Sequence, residues 1–120
     1  MRRKNMSIAY MVRSDELEFK PEVGFPGDEE NEDREAKFFY FDDFVDFLND
    51  KYREFEWYYD FDEDIYFLGI RNNNSLTEAE VKQFISKMLL PFVDMKAEEI
   101  EKLVKPSRVC VIWRSGIEWQ

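Results

Sequence analysis

The spacing of apolar and polar positions changes several times along this chain, and each change marks a new element. Met6 to Arg13 (MSIAYMVR) is short, apolar and rich in strand formers, which predicts a strand. From Ser14 to Ala36 no period survives. That stretch holds ten acidic residues, two prolines and two glycines, and reads as a mobile acidic loop. Within it Gly24-Phe-Pro-Gly27 is a turn signal, and Glu16 to Phe19 could form at most a short edge strand. Lys37 to Phe41 reads either as a second strand or as the first turn of the next element.

From Asp42 the period becomes helical. Phe44, Phe47, Leu48, Tyr52 and Phe55 fall on one face, which predicts a helix over about 42–55 capped by Asp42 or Asp43. Asp42, Asp43 and Asp46 lie near the positive end of the helix dipole, and Lys51 and Arg53 near the negative end. Phe47 and Phe84 sit at the centres of their apolar stripes and are expected in the core. Glu56 to Ile70 then reads as a hairpin, with Trp57 to Tyr59 and Ile65 to Ile70 as strands and Asp60 to Asp64 (DFDED) as its tip. Thr77 and Glu80 make a capping box, and Leu76 with Val81 a hydrophobic staple. A helix follows with Val81, Phe84, Ile85, Met88 and Leu89 inward, ended by Pro91. Asp94 can cap a shorter helix carrying Ala97, Ile100, Leu103 and Val104, stopped by Pro106. Arg108 to Arg114 (RVCVIWR) reads as a last strand. The order predicts one α+β domain over 1–120: a mainly antiparallel sheet of 4–5 strands with three helices packed on it.

Composition changes this picture at one place. Between Phe38 and Phe67, fourteen of thirty residues are aromatic, ten are acidic and two are basic. This quarter of the chain therefore carries most of the net charge of −10. Rings must be buried and carboxylates kept wet, so the segment has to be two-faced. A charge of this size disfavours direct binding to nucleic acid or to an anionic membrane, and favours a basic protein surface as partner.

The candidate chemistry is mostly exclusion. There is no histidine, which removes His-based triads and most zinc sites, and the single Cys110 allows no internal disulfide. Cys110 lies in an apolar run and reads as a buried core thiol. No apolar run is long enough for a membrane span, and the basic start followed by a broken apolar stretch makes a poor signal peptide, so a cytoplasmic location is expected. Phosphate-binding glycine loops are missing too. Asp60, Asp62 and Asp64 have the opening spacing of a calcium loop, but Ile65 and Arg71 stand where that loop needs Gly and Glu. No cofactor, metal site or enzyme activity is therefore expected.

What remains is a surface. Asp43, Asp46, Asp50 and Glu54 recur at i, i+3, i+7 and i+11, a carboxylate stripe whose mutual repulsion destabilises a helix by roughly 0.2–0.5 kcal/mol per pair. Asp60, Asp62 and Asp64 extend it, and Tyr58 and Tyr59 beside it are of a type favoured at interface hot spots. This predicts a small binding protein that covers a basic site, such as that of a nuclease or another nucleic-acid-binding protein. Immunity proteins and nucleic-acid-mimicking phage inhibitors of host defence are similar in composition only. Two other readings stay open: a carboxylate-based metal-binding protein or enzyme, and a structural or adaptor domain with a merely solubilising surface.

Overall fold

A computed structural model describes residues 8–23, 38, 40–72 and 75–107. The fold is α+β, with one four-stranded antiparallel sheet and three helices. Strand β1 (Ile8–Arg13) leads into a 3-10 turn at Ser14–Glu16, followed later by helix α1 (Phe41–Lys51). Strands β2 (Phe55–Asp60) and β3 (Ile65–Asn72) form the expected hairpin. Helix α2 (Glu78–Leu89), a 3-10 turn at Leu90–Phe92, helix α3 (Ala97–Leu103) and strand β4 (Lys105–Ser107) complete it. The sheet order is β2-β3-β1-β4, so β1 lies inside, paired to β3 through Tyr10↔Ile70 and to β4 through Tyr10↔Pro106. Pro106 is tolerated because β4 lies at the edge of the described sheet.

Period-2 alternation sorts the sheet residues onto two faces. Val12, Phe55, Leu68 and Ile70 are buried on the face that joins the main core, with Trp57 and Tyr66 half-buried beside them. Ala9 and Met11 are buried on the other face, where Tyr58 and Phe67 pack. The main core is aromatic around Phe44, whose ring meets those of Phe19, Phe38, Phe41 and Phe92 at 5.0–5.7 Å between centroids. Most of these contacts are edge-on, the geometry that ring quadrupoles favour.

Several expectations need correction. Helix α1 ends at Lys51, and Phe55 is the first residue of β2. Residues 53–54 turn the chain instead, so Glu54 is not on the helix. Neither Asp42 nor Asp43 caps it: the N-cap is Tyr40, which makes no side-chain bond, and both acids lie in the first turn. Of the two readings of Lys37 to Phe41, the strand is not seen among its described residues, and Phe41 instead opens the first turn of the helix. Phe47 and Phe84 are half-buried, while Phe44, Leu48, Val81 and Ile85 are the sealed positions.

The first part of the expected acidic loop is also packed. Leu17, Phe19 and Val23 are buried, and Phe19 bridges Val93. The Lys20 N–H donates to Phe92 O at 2.9 Å, and the Asp94 N–H donates to Glu18 O at 2.8 Å. The turn at Gly24 to Gly27, the acidic residues from Asp28 to Asp33, Cys110 and the strand read at 108–114 lie outside the described residues.

Thr77 caps α2 as its sequence requires: its Oγ1 accepts from Glu80 N–H at 3.1 Å, and Glu80 Oε1 accepts from Thr77 N–H at 2.9 Å. Helix α3 begins differently from expectation. Lys96 is its N-cap rather than Asp94, and Glu99 Oε1 accepts from Lys96 N–H at 2.9 Å.

Candidate functional site

Helix α1 positions the acidic stripe. Phe41, Phe44, Val45 and Leu48 are buried, which fixes the rotation of the helix on the sheet. At ~100° per residue, Asp43, Asp46 and Asp50 then share a sector about 60° wide opposite that buried face. All three are exposed, as is Glu54 in the turn beyond the helix. None of these four carboxylates has an ion pair or side-chain hydrogen bond among the described residues. The charge is left to water or to a partner.

The hairpin tip is built differently, as an ordered turn. Asp60 Oδ1 accepts from Asp62 N–H at 2.9 Å and from Glu63 N–H at 3.3 Å, a local mimic of a backbone turn. Asp64 N–H donates to Asp60 O at 2.7 Å. Asp64 adopts the left-handed backbone, with φ 60°, a conformation that aspartate tolerates better than most residues. Its carboxylate accepts a hydrogen bond from the Tyr59 hydroxyl. Asp60 and Asp64 are thus engaged in shaping the turn. Among the described residues no group of three or more ligating side chains is placed to hold a metal.

Arg13 ties this tip to the end of β1. Its Nη2 lies 2.8 Å from Glu63 Oε1 and 3.0 Å from Asp15 Oδ2. The hydrogen bond from Arg13 holds the Asp15 carboxyl below its ordinary 3.8. A carboxyl depressed in the folded state stabilises fully above its unfolded value, and that contribution is lost as pH falls through the folded value. Stability against pH should therefore show a small acid-side loss below about pH 4 that Asp15→Asn removes. The loss is small because both side chains are solvated.

The expected site residues do not form one patch. Tyr58 and Tyr59 are neighbours in β2 and point to opposite sheet faces. Tyr58 packs with Ala9 and Met11, away from α1. Tyr59 lies on the helix side, its ring 4.9 Å from that of Tyr66 and 4.8 Å from that of Phe61. Glu56, part of the same acidic run, is 4 % exposed and paired with Arg71 at 2.7 Å, so it adds little to the outer field.

Phe61 is the feature that sequence reasoning passed over. It is 84 % exposed at the centre of the acidic tip, held edge-on by Tyr59. Its signal was present: one aromatic residue in an otherwise polar turn.

Among the described residues, two concavities flank these elements. A shallow notch of about 220 Å³ lies between α1 and the hairpin, lined by Asp42, Val45, Asp46, Trp57 and Tyr66. The Tyr66 hydroxyl donates to Asp42 Oδ1 across it. A wider groove of about 540 Å³ lies at the other end of the hairpin, where Arg53, Arg71 and Phe84 are among its walls. There the Nε of Arg71 is buried without a hydrogen-bond partner.

Fold and surface together define a small α+β domain with an acidic outer helix and an ordered acidic hairpin tip. Comparison with protein families, curated proteins and solved structures finds no match. No helix among the described residues is long and apolar enough to cross a membrane.

Proposed function

We propose that this chain is a small acidic binding protein that neutralises a macromolecule by covering a basic site on it, of the kind that holds nucleic acid. Immunity proteins against nucleases and phage inhibitors of host defence are two biological settings with this physics. The observation that carries the reading is the outward stripe of Asp43, Asp46 and Asp50, without an ion pair among the described residues, on a helix whose buried face fixes which side is wet. Arranged for stability alone, those positions would alternate in sign. The tip adds a second supporting feature. Several hydrogen bonds and an ion pair order a turn whose product is an aromatic ring held in water. A preorganised ring of this kind loses little conformational freedom on docking.

The two features have different kinetic roles. Rim charges steer encounter and are screened by salt, with a Debye length of ~10 Å at 0.1 M. Buried anchors set the lifetime of the complex. In place of Tyr58, which packs on the far sheet face, Phe61 takes the anchor role with Tyr59 as its buttress.

The test begins with a pulldown from the native host lysate at low and high salt, followed by rate measurements on the partner it yields. Asp46→Lys with Asp50→Lys should slow association by about tenfold or more at low salt and flatten its salt dependence, with folding intact. Phe61→Ala should leave association nearly unchanged and speed dissociation by about tenfold or more. Rates that ignore both the charge reversal and salt would leave the stripe as a solubilising surface.

A further inference from the structure

The β2–β3 hairpin carries unlike surfaces at its two ends. At the tip, Phe61 is 84 % exposed, with Tyr59 packed against its ring edge-on. Asp62 beside it is exposed, and its carboxylate has no ion pair among the described residues. At the other end, the groove of about 540 Å³ has Phe55, Leu76 and Phe84 as apolar walls and Arg53 and Arg71 as cations. Arg53 is exposed and has no ion pair among the described residues. Arg71 meets the buried Glu56 through Nη2 at 2.7 Å, and its Nε has no hydrogen-bond partner. Two guanidinium groups against Glu54 and Glu56 leave the groove neutral on a chain of net charge −10. The notch beside α1, by contrast, carries two aspartates and no base.

We propose that the hairpin tip of one copy docks in the groove of a second copy of this chain, with Phe61 on the apolar walls and Asp62 at Arg53. Three observations choose this occupant. The Phe61 ring lacks apolar cover on its own molecule, and the groove lies in the ~300–1,000 Å³ range that receives compact ligands. The charges are complementary, since an acidic tip meets the arginine-lined concavity rather than the acidic one. The turn is already ordered by the Asp60 carboxylate, so docking costs little conformational freedom. A tip cannot reach its own groove, because the six residues of β2 hold the two ends roughly 17–20 Å apart. Tip and groove are different surfaces, so the contact is heterologous and each copy offers one of each. A contact this small is weak and transient. Repulsion between the copies acts at longer range and is screened beyond ~8 Å at 0.15 M salt. The proposal does not rest on the basic-partner reading. It does occupy Phe61, so self-association competes with any partner that takes the same ring.

The experiment is sedimentation velocity on the full chain over a concentration series at ~0.15 M salt. Mass should grow with concentration. Phe61→Ala and Arg53→Glu should each weaken self-association about tenfold or more. Their melting temperatures should match the parent, since both residues are exposed. Phe61→Ala keeps an intact groove and Arg53→Glu an intact tip, so mixing the two should form a heterodimer that neither forms alone. Asp62→Arg should act as Arg53→Glu does, and the two changes in one chain should restore association. Asp46→Lys with Asp50→Lys should leave the growth in place, because neither residue belongs to either surface.

A parent chain of constant mass across the series would overturn the proposal. So would growth that survives Phe61→Ala, growth lost on reversing Asp46 and Asp50, or a mixture that stays at monomer mass. The basic-partner reading is decided separately, by the rates measured on its own partner.

Discussion

Replacing Phe44 by alanine should remove about 3–5 kcal/mol of stability, the range for deleting a large aromatic side chain from a sealed core. Against a typical total of about 5–15 kcal/mol this leaves the domain marginal or unfolded. The size of the effect follows from position. Phe44 is fully buried, and its ring is the one shared by Phe19, Phe38, Phe41 and Phe92. These partners come from the segment after β1, from α1 and its approach, and from the turn after α2. The cavity would therefore open where three parts of the chain meet, and no single one could collapse into it. Denaturant midpoints measure the effect, with Phe47→Ala as the internal comparison. Phe47 is half-buried on the same helix and should cost clearly less. A larger loss at Phe47 than at Phe44 would mean that α1 is rotated about its axis.

The second large effect is expected at Gly69, which pairs with Met11 on β1. A Cβ built there would lie 1.7 Å from the carbonyl oxygen of Tyr10, 2.7 Å from its carbon and 2.8 Å from the Met11 Cα. All three obstacles are backbone, so no side-chain rotation can relieve the overlap. The two inner strands would have to part. Overpacking by a methylene in a core typically costs about 1–3 kcal/mol, and this site belongs at the top of that range or above it. Gly69→Ala should accordingly lower the melting temperature on the order of 10 °C or more, or give no folded protein. Amide exchange would show the loss first in the β1–β3 ladder. An alanine variant that melts with the parent would contradict the close approach of these strands.

What could be read from the chain was local. The capping box at Thr77 was legible because its signal lies within four residues and involves no distant group. The hairpin was legible because β-formers flank a polar turn. The end of α1 was not: Tyr52 and Phe55 continue the helical period by coincidence, and Phe55 is buried from a strand instead. Leu17, Phe19 and Val23 were hidden because they are single apolar residues among acids, with no period to announce them. They are buried by what they meet, Val93 and the ring cluster, and those contacts are remote in sequence.

The candidate surface shows the same division. The outward facing of Asp43, Asp46 and Asp50 followed from the apolar period of α1, and the structure places them so. Glu56 looked like its acidic neighbours, yet β2–β3 pairing brings Arg71 to it and takes it inside. The split between Tyr58 and Tyr59 was implicit in any strand, since adjacent residues alternate faces. The notch needed the tertiary fold, because Asp46 and Trp57 meet only when α1 crosses the hairpin.

The strand order has a consequence for how the chain reaches this state. The hairpin β2–β3 and the neighbouring helices α2 and α3 are closed by short connections and can form early. Strand β1 must wait for both its partners, one reached at Ile70 and the other at Pro106, so the longest loops in the topology close around it. Until it docks, the inner edge of β3 is an open template, and the rings that β1 helps to bury stay in water. A competing strand from a second molecule would find the same edge, so the slow arrival of β1 sets the interval in which self-association competes with folding. The close approach at Gly69 narrows that risk, because only a backbone that can pass as near as that of Tyr10 and Met11 completes the pairing.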